Sequence, residues 1–296
     1  MSIQYNQVNP DSTSDEYLPF QTLDFTLQTP GRKLLKNSIR IEGKIVARTN
    51  TTDPWLPATA GAASSAVDFA SNVKVDNCVG AHAFFDSFTT ETQTRGVIES
   101  LMNYPRFVSQ QARATLGEDD MLSSKLICEA RGPTELNGNY VLQPVANQSF
   151  VTGATEQPAE RSVPSFSFLP QIAFNRQAGG DYSFDRNGFI RVSAILAADR
   201  HALFGGLDTA NYVLTDVVCR YTTIPDDGKD EPILMRSYVN VVSSMQSTST
   251  TVSARVPSQQ VNSLTISVAE QAHVQSAEYN SSALESLPEW DSVEYM

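Results

Sequence analysis

Residues that carry chemistry or covalent staples are scarce in this chain: three cysteines, three histidines and two tryptophans among 296 residues. An odd, sparse cysteine count does not make a disulfide framework. Cys78, Cys128 and Cys219 also lack the paired CxxC spacing of a zinc site, so they read as buried free thiols in a reducing compartment. His82, His201 and His273 lie far apart, none in HExxH or HxH, and read as structural. GxSxG, GxGxxG and GxxxxGK(S/T) are missing, so no motif supports a hydrolase elbow or a phosphate loop. No catalytic or cofactor-binding residue is assigned, no cofactor is expected, and the chain is expected not to be an enzyme. No apolar run approaches the ~20 residues of a membrane helix, so no transmembrane segment is expected. The opening MSIQYNQVNPDSTSDEYLPF lacks the basic start and apolar centre of a signal peptide; the mature chain is expected to begin at or near Met1.

Positive charge is also short. Lys and Arg total 21 against 33 Asp and Glu, for a net charge of -12 and a pI near 4.7. An acidic surface repels phosphate backbones, so direct sequence-specific nucleic-acid binding is not expected. It also keeps a protein dispersed at high concentration, as suits one made in many copies. The one notable basic cluster, Arg32, Lys33, Lys36 and Arg40, would face nucleic acid or an acidic neighbour in a functional reading, and reads first as a solvated loop and strand face. Asp226, Asp227, Asp230 and Glu231 surround Gly228 in PDDGKDE and form the one metal candidate, for calcium. The segment lacks the alternating ligand order of an EF-hand and holds Lys229, so a plain Asp-Gly turn is the first reading and no metal is assigned. Glu118, Asp119 and Asp120 read as solvated loop charge.

What the chain has is period-2 patterning. Leu23, Phe25 and Leu27 alternate with Asp24, Thr26 and Gln28; Ile39, Ile41, Gly43, Ile45 and Ala47 alternate with mostly polar residues. Each such strand is half-buried, with one face to a core. A Pro30-Gly31 turn separates the two. Val73 to Val79 and Ala81 to Thr92 read as extended, and Arg95 to Leu116 as a short helix ending before Pro105 and resuming after it. Further strands are read at Phe166 and Phe168, Ile190 to Leu196, Tyr212 to Ile224, Met235 to Met245, Val252 to Val256 and Leu264 to Val268. Residues 1–20 read as a solvated arm, 21–270 as one domain with 117–163 as an insertion or surface loop, and 271–296 as a polar tail. The fold class expected is all-β: a jelly-roll β-sandwich of about eight to ten antiparallel strands with one or two short helices.

Two phrases inside the domain carry a family resemblance. Ala81-His82-Ala83-Phe84-Phe85-Asp86-Ser87-Phe88 is followed by Ile98-Glu99-Ser100-Leu101-Met102-Asn103-Tyr104. The order resembles the minor capsid (penton) proteins of polinton-like viruses, virophages and adintovirus-like elements, where a phrase like LHSLFSQV precedes a helix bearing E-S/T-L-L-N-Y. The match runs over roughly residues 20–115. The resemblance implies a virion protein made in the host cytoplasm: a self-assembling jelly-roll subunit, read first as the penton at icosahedral vertices. It would form a homopentamer and contact neighbouring major capsid subunits. Rings of that order use a heterologous interface. Two alternatives stay open. One is a major capsid protein, whose double jelly roll needs about sixteen strands. The other is a jelly-roll receptor- or carbohydrate-binding module, for which residues 226–231 are the first suspect.

Overall fold

The computed structural model describes residues 2–48, 74–76, 79–115, 140–141, 165–203, 211–229, 231–239 and 281–282. The strands in chain order are β1 (Gln4–Val8), β2 (Glu16–Tyr17), β3 (Thr22–Leu27), β4 (Arg32–Leu34), β5 (Arg40–Arg48), β6 (Lys74–Val75), β7 (Phe85–Thr92) and β8 (Gly96–Leu101). They continue with β9 (Tyr140–Val141), β10 (Ser165–Phe168), β11 (Gln177–Gly179), β12 (Tyr182–Ser183), β13 (Ile190–Leu196), β14 (Asn211–Pro225) and β15 (Ile233–Met235). Among the described residues three α-helical segments accompany them: α1 (Tyr104–Thr115), α2 (Phe184–Asn187) and α3 (Asp199–Ala202).

The pairing is nested. β14 runs through the middle of a seven-stranded sheet, with β1 and β2 on one flank and β4 and β5 on the other. β12 adds to β4, and β10 adds to β5. The second sheet has four strands in the order β3-β13-β7-β8. Counting β1/β2, β4/β5 and β10/β12 as one interrupted position each, the first position pairs the eighth, the second the seventh, the third the sixth and the fourth the fifth. That is the strand order of a jelly roll. The expected all-β jelly-roll class is what the structure shows, with antiparallel pairing throughout.

Alternation builds the core. Leu23, Phe25 and Leu27 stand opposite Ala194, Val192 and Ile190, and all six are buried. Ile41, Ile45, Phe166, Phe168, Leu214 and Cys219 face them from the larger sheet. Each such side chain contributes about 1.5–3 kcal/mol by leaving water. Gly43 lies against the Phe166 ring, where a Cβ would come within 2.9 Å, so the position needs a residue without one.

Several local expectations change. The strands on either side of Pro30-Gly31 do not pair; β3 and β5 belong to opposite sheets. Residues 1–20, expected as a solvated arm, place β1 and β2 on the edge of the larger sheet. Backbone pairing holds β1, which buries none of its side chains, while β2 also sinks Tyr17 into the core. Gly80–Phe84 is a 3-10 helix rather than extended chain, entered through a turn in which Val79 and Gly80 N–H donate to Asp76 O. Gly80 sits there at φ +57°. Residues 96–101, read as helix, form β8, and α1 begins only at Tyr104. Pro105 falls in the first turn of α1, where its missing N–H leaves no intrahelical bond unmade. In the Met235–Met245 segment the strand covers Ile233–Met235 alone among described residues. Most of 117–163, the strands read at 252–268 and all of the tail but 281–282 lie outside the described residues.

Candidate functional site

The acidic turn after β14 comes first. Asp226 accepts hydrogen bonds from Ser183 Oγ at 2.5 Å and Gly228 N at 2.8 Å. Asp227 Oδ1 accepts from Lys33 Nζ at 2.6 Å and Lys229 N at 3.2 Å, and Lys33 Nζ also lies 3.5 Å from Asp226. The buried Lys33 of β4, 194 residues away, therefore occupies the place between the two carboxylates. These bonds hold both carboxyls below the ordinary carboxylate value, led by Ser183 for Asp226 and by Lys33 for Asp227; the Asp227 bond raises Lys33 in turn. A calcium ion would have to displace an ammonium to use these oxygens. Asp230, the third of the four calcium candidates, lies outside the described residues, and Glu231 sits on the surface. Among the described residues no group of three or more metal-ligating side chains converges.

The basic cluster is drawn into the same sheet. Arg32 donates to Thr223 and to Ser2 O, and Arg40 donates to Ser167. Lys36 stays exposed. The cluster is largely internal bracing of the β14 end of the sheet.

The two phrases of the family resemblance meet in the core. His82 Nδ1 lies 2.8 Å from Tyr104 Oη, which also accepts from Gln171 N at 2.7 Å. Phe88 meets the Tyr104 ring edge-on at 4.6 Å between centroids, and Phe168 lies 4.2 Å from the His82 ring. His82 and Tyr104 are fully buried. The isolated histidine is thus a core residue whose partner is the tyrosine of the second phrase. Burial raises the carboxyl of Asp86 above its ordinary value, and His201 of α3 offsets part of that rise. Cys219 is buried, and burial pushes its thiol up, which makes it a poor nucleophile. Cys78, Cys128 and His273 lie outside the described residues.

One constellation escaped the sequence reading. Glu99 of β8 is buried beside Arg176, which forms an ion pair with its Oε1. Glu99 also accepts from Tyr238 N and Ala173 N, each at 2.8 Å. The Arg176 guanidinium lies over the Tyr238 ring at 4.5 Å and over Phe107 of α1 at 5.7 Å. Burial raises the Glu99 carboxyl and lowers Arg176, against the attraction between them. This clip joins β8, α1, the loop before β11 and the segment after β15. Its bonds are all spent on the chain's own backbone and on each other, which is a structural role. The sequence carried no signal for it, since Glu99 fell in a segment read as helix and its partner is 77 residues away.

A cleft of about 860 Å³ lies over the bulge of β14, where the pairing to β5 shifts between Thr215 and Val218. Its rim carries Glu42, Lys44, Asp216 and Arg220, which pair among themselves. Nothing there joins a nucleophile to a base. Among the described residues β1, β3 and β8 pair with no further strand on their outer sides, and Asp11 N donates to Asp24 O of β3 at 2.7 Å.

The described residues thus form one jelly-roll sandwich. No protein-family model matches the sequence, and no curated protein does. Solved structures similar to it include PBCV-1 Vp54 fitted into a reconstruction of the virophage Sputnik, at 8% identity over 77% of this chain and 43% of that one, with a TM-score of 0.40. A chain of the Sputnik virophage is 11% identical over 77% and 49%, with a TM-score of 0.38. The mavirus major capsid protein is 6% identical over 74% and 46%, with a TM-score of 0.33. The chain spans less than half the length of each of these.

Proposed function

We propose that this chain is a structural virion protein: a capsid subunit that assembles with copies of itself into a homopentamer at the icosahedral vertex, against neighbouring major capsid subunits. The observation that carries the reading is the nested pairing, which closes one complete roll between Gln4 and Pro225. Jelly rolls serve chiefly as capsid, lectin and cupin domains, so the fold narrows the choice without deciding it. A double roll needs about sixteen strand positions, and the described residues fill eight, which favours the vertex role over the major capsid one. The family resemblance adds support, since both of its phrases contribute to one buried cluster around Tyr104. A carbohydrate- or receptor-binding module fits less well, because Lys33 already occupies the acidic turn. The domain would run over residues 21–270 with 117–163 inserted and 271–296 as a tail, and β1 and β2 would join it from the arm. In this reading the protein is made in the host cytoplasm, works in the virion and catalyses nothing.

Light scattering on the size-exclusion peak tests this, with imaging of the same fraction. Five-membered rings are expected. A strict monomer that retains sugar only with calcium present would replace the capsid reading with the binding-module one.

A further inference from the structure

Phe20 breaks two rules at once. Leu18-Pro19-Phe20-Gln21 is a tight turn closed by Gln21 N donating to Leu18 O at 3.2 Å. Proline in second place and a positive φ in third make it type II, where the third residue is normally Gly or Asn. Here it is a phenylalanine at φ +67°, with 73% of its surface exposed. A bulky side chain in left-handed conformation is strained, and an aromatic ring in water gains nothing by burial. The turn is nevertheless rigidly built. Leu18 N donates to Gln21 Oε1 at 2.9 Å, Phe20 N to Leu196 O at 3.0 Å, and Leu196 N to Gln21 O at 2.9 Å. Two further apolar residues near the turn are exposed: Leu18 (47%), its first residue, and Ile195 (40%), the partner of Thr22.

The turn leads into β3, one edge of the four-stranded sheet; β8 is the other edge. Thr22 is opposite Ile195, Ile195 opposite Ser87, and Phe88 opposite Leu101. Continuing that register sets Met102, 60% exposed, level with Ile195 on the same outer face. The two apolar places therefore sit at one height on opposite edges, about 14 Å apart at the usual strand spacing. Neither 18–22 nor 100–104 contains a charged residue, in a chain of net charge -12. Copies that repel elsewhere can meet there. A closed ring requires this arrangement: two different patches at one level on two sides of the same subunit.

We infer that the Leu18–Phe20 turn of one copy seats against the exposed Met102, just past the end of β8, of a second copy, with Phe20 as the anchor. The self-assembly reading supplies the identity of the neighbour; the turn and the register supply the contact. A rigid, pre-formed aromatic knob suits such an anchor, because little freedom is lost on docking.

The test uses the full chain. Phe20→Gly relieves the backbone strain, so its melting temperature should equal or exceed the wild type, while its dissociation constant for assembly should rise at least about tenfold, with Phe20→Asn behaving alike. Mixing Phe20→Cys with Met102→Cys and adding a short bismaleimide should give a cross-linked pair mapped to positions 20 and 102, which neither variant gives alone. Wild-type assembly undisturbed by Phe20→Gly overturns this contact and leaves the capsid reading standing. A wild-type chain that stays monomeric at every concentration overturns both.

Discussion

Two charged clips in this protein solve the same problem in opposite surroundings. Glu99 and Arg176 are sunk between β8, α1 and the segment after β15, while the buried Lys33 reaches out to Asp226 and the half-exposed Asp227 at the rim where β14 ends. In the buried clip, loss of water dominates and raises Glu99 despite its cationic partner. At the rim, hydrogen bonds dominate and lower both aspartates. Desolvation grows with depth faster than pairing repays it, so a buried pair is dangerous to halve and a rim pair is not.

Halving the buried clip should have the largest effect. Arg176→Met leaves Glu99 buried without its partner and should lower unfolding stability by about 3–5 kcal/mol in urea titrations; a loss under about 1 kcal/mol would show that water reaches the carboxyl. Glu99→Gln keeps an oxygen for Ala173 N and Tyr238 N, so it should lose less, about 1–3 kcal/mol by the same measurement. Lys33→Met at the rim should lose about 1 kcal/mol.

The pH dependences should have opposite signs. Asp226 and Asp227 bind protons less readily when folded, so their stability is full above the ordinary value of 3.8 and drains away as pH falls through their lowered values. Asp226→Asn should flatten part of that acid limb. Glu99 binds its proton more readily when folded, so its contribution is full below 4.5 and declines as pH rises through its raised value. Glu99→Gln should remove that decline; an unchanged pH profile in both variants would refute the contrast. The smallest effect is expected at the exposed Lys44–Asp216 pair, where Lys44→Ala should shift stability by under about 0.5 kcal/mol.

The same contrast explains what the sequence reveals. β3, β10, β13 and β14 announce themselves because apolar residues fall on every second position and those positions are the buried ones. β8 hides because one of its buried positions is Glu99. With a charge there, Val97, Ile98, Leu101 and Met102 imitate helical spacing, and only Arg176, far along the chain, explains the exception. β1 hides for another reason: an edge strand that buries no side chain is held by main-chain bonds, which no hydropathy pattern records. The acidic turn looked open to a cation because Lys33 is near it only in space. Phe20 was legible as a residue and not as a strained one, since its φ depends on the turn around it.

The nesting also imposes a timetable. Gln4 pairs with Thr223, so the first strand made has its partner only when nearly the last of the roll has emerged. On a ribosome adding about 5–20 residues per second, β1 waits on the order of ten seconds or more with its edge uncovered. The innermost pair, β7 with β8, is joined by a hairpin and can form at once. Synthesis thus closes the roll from the inside outward, and β14, one of the last strands made, seals it against the first.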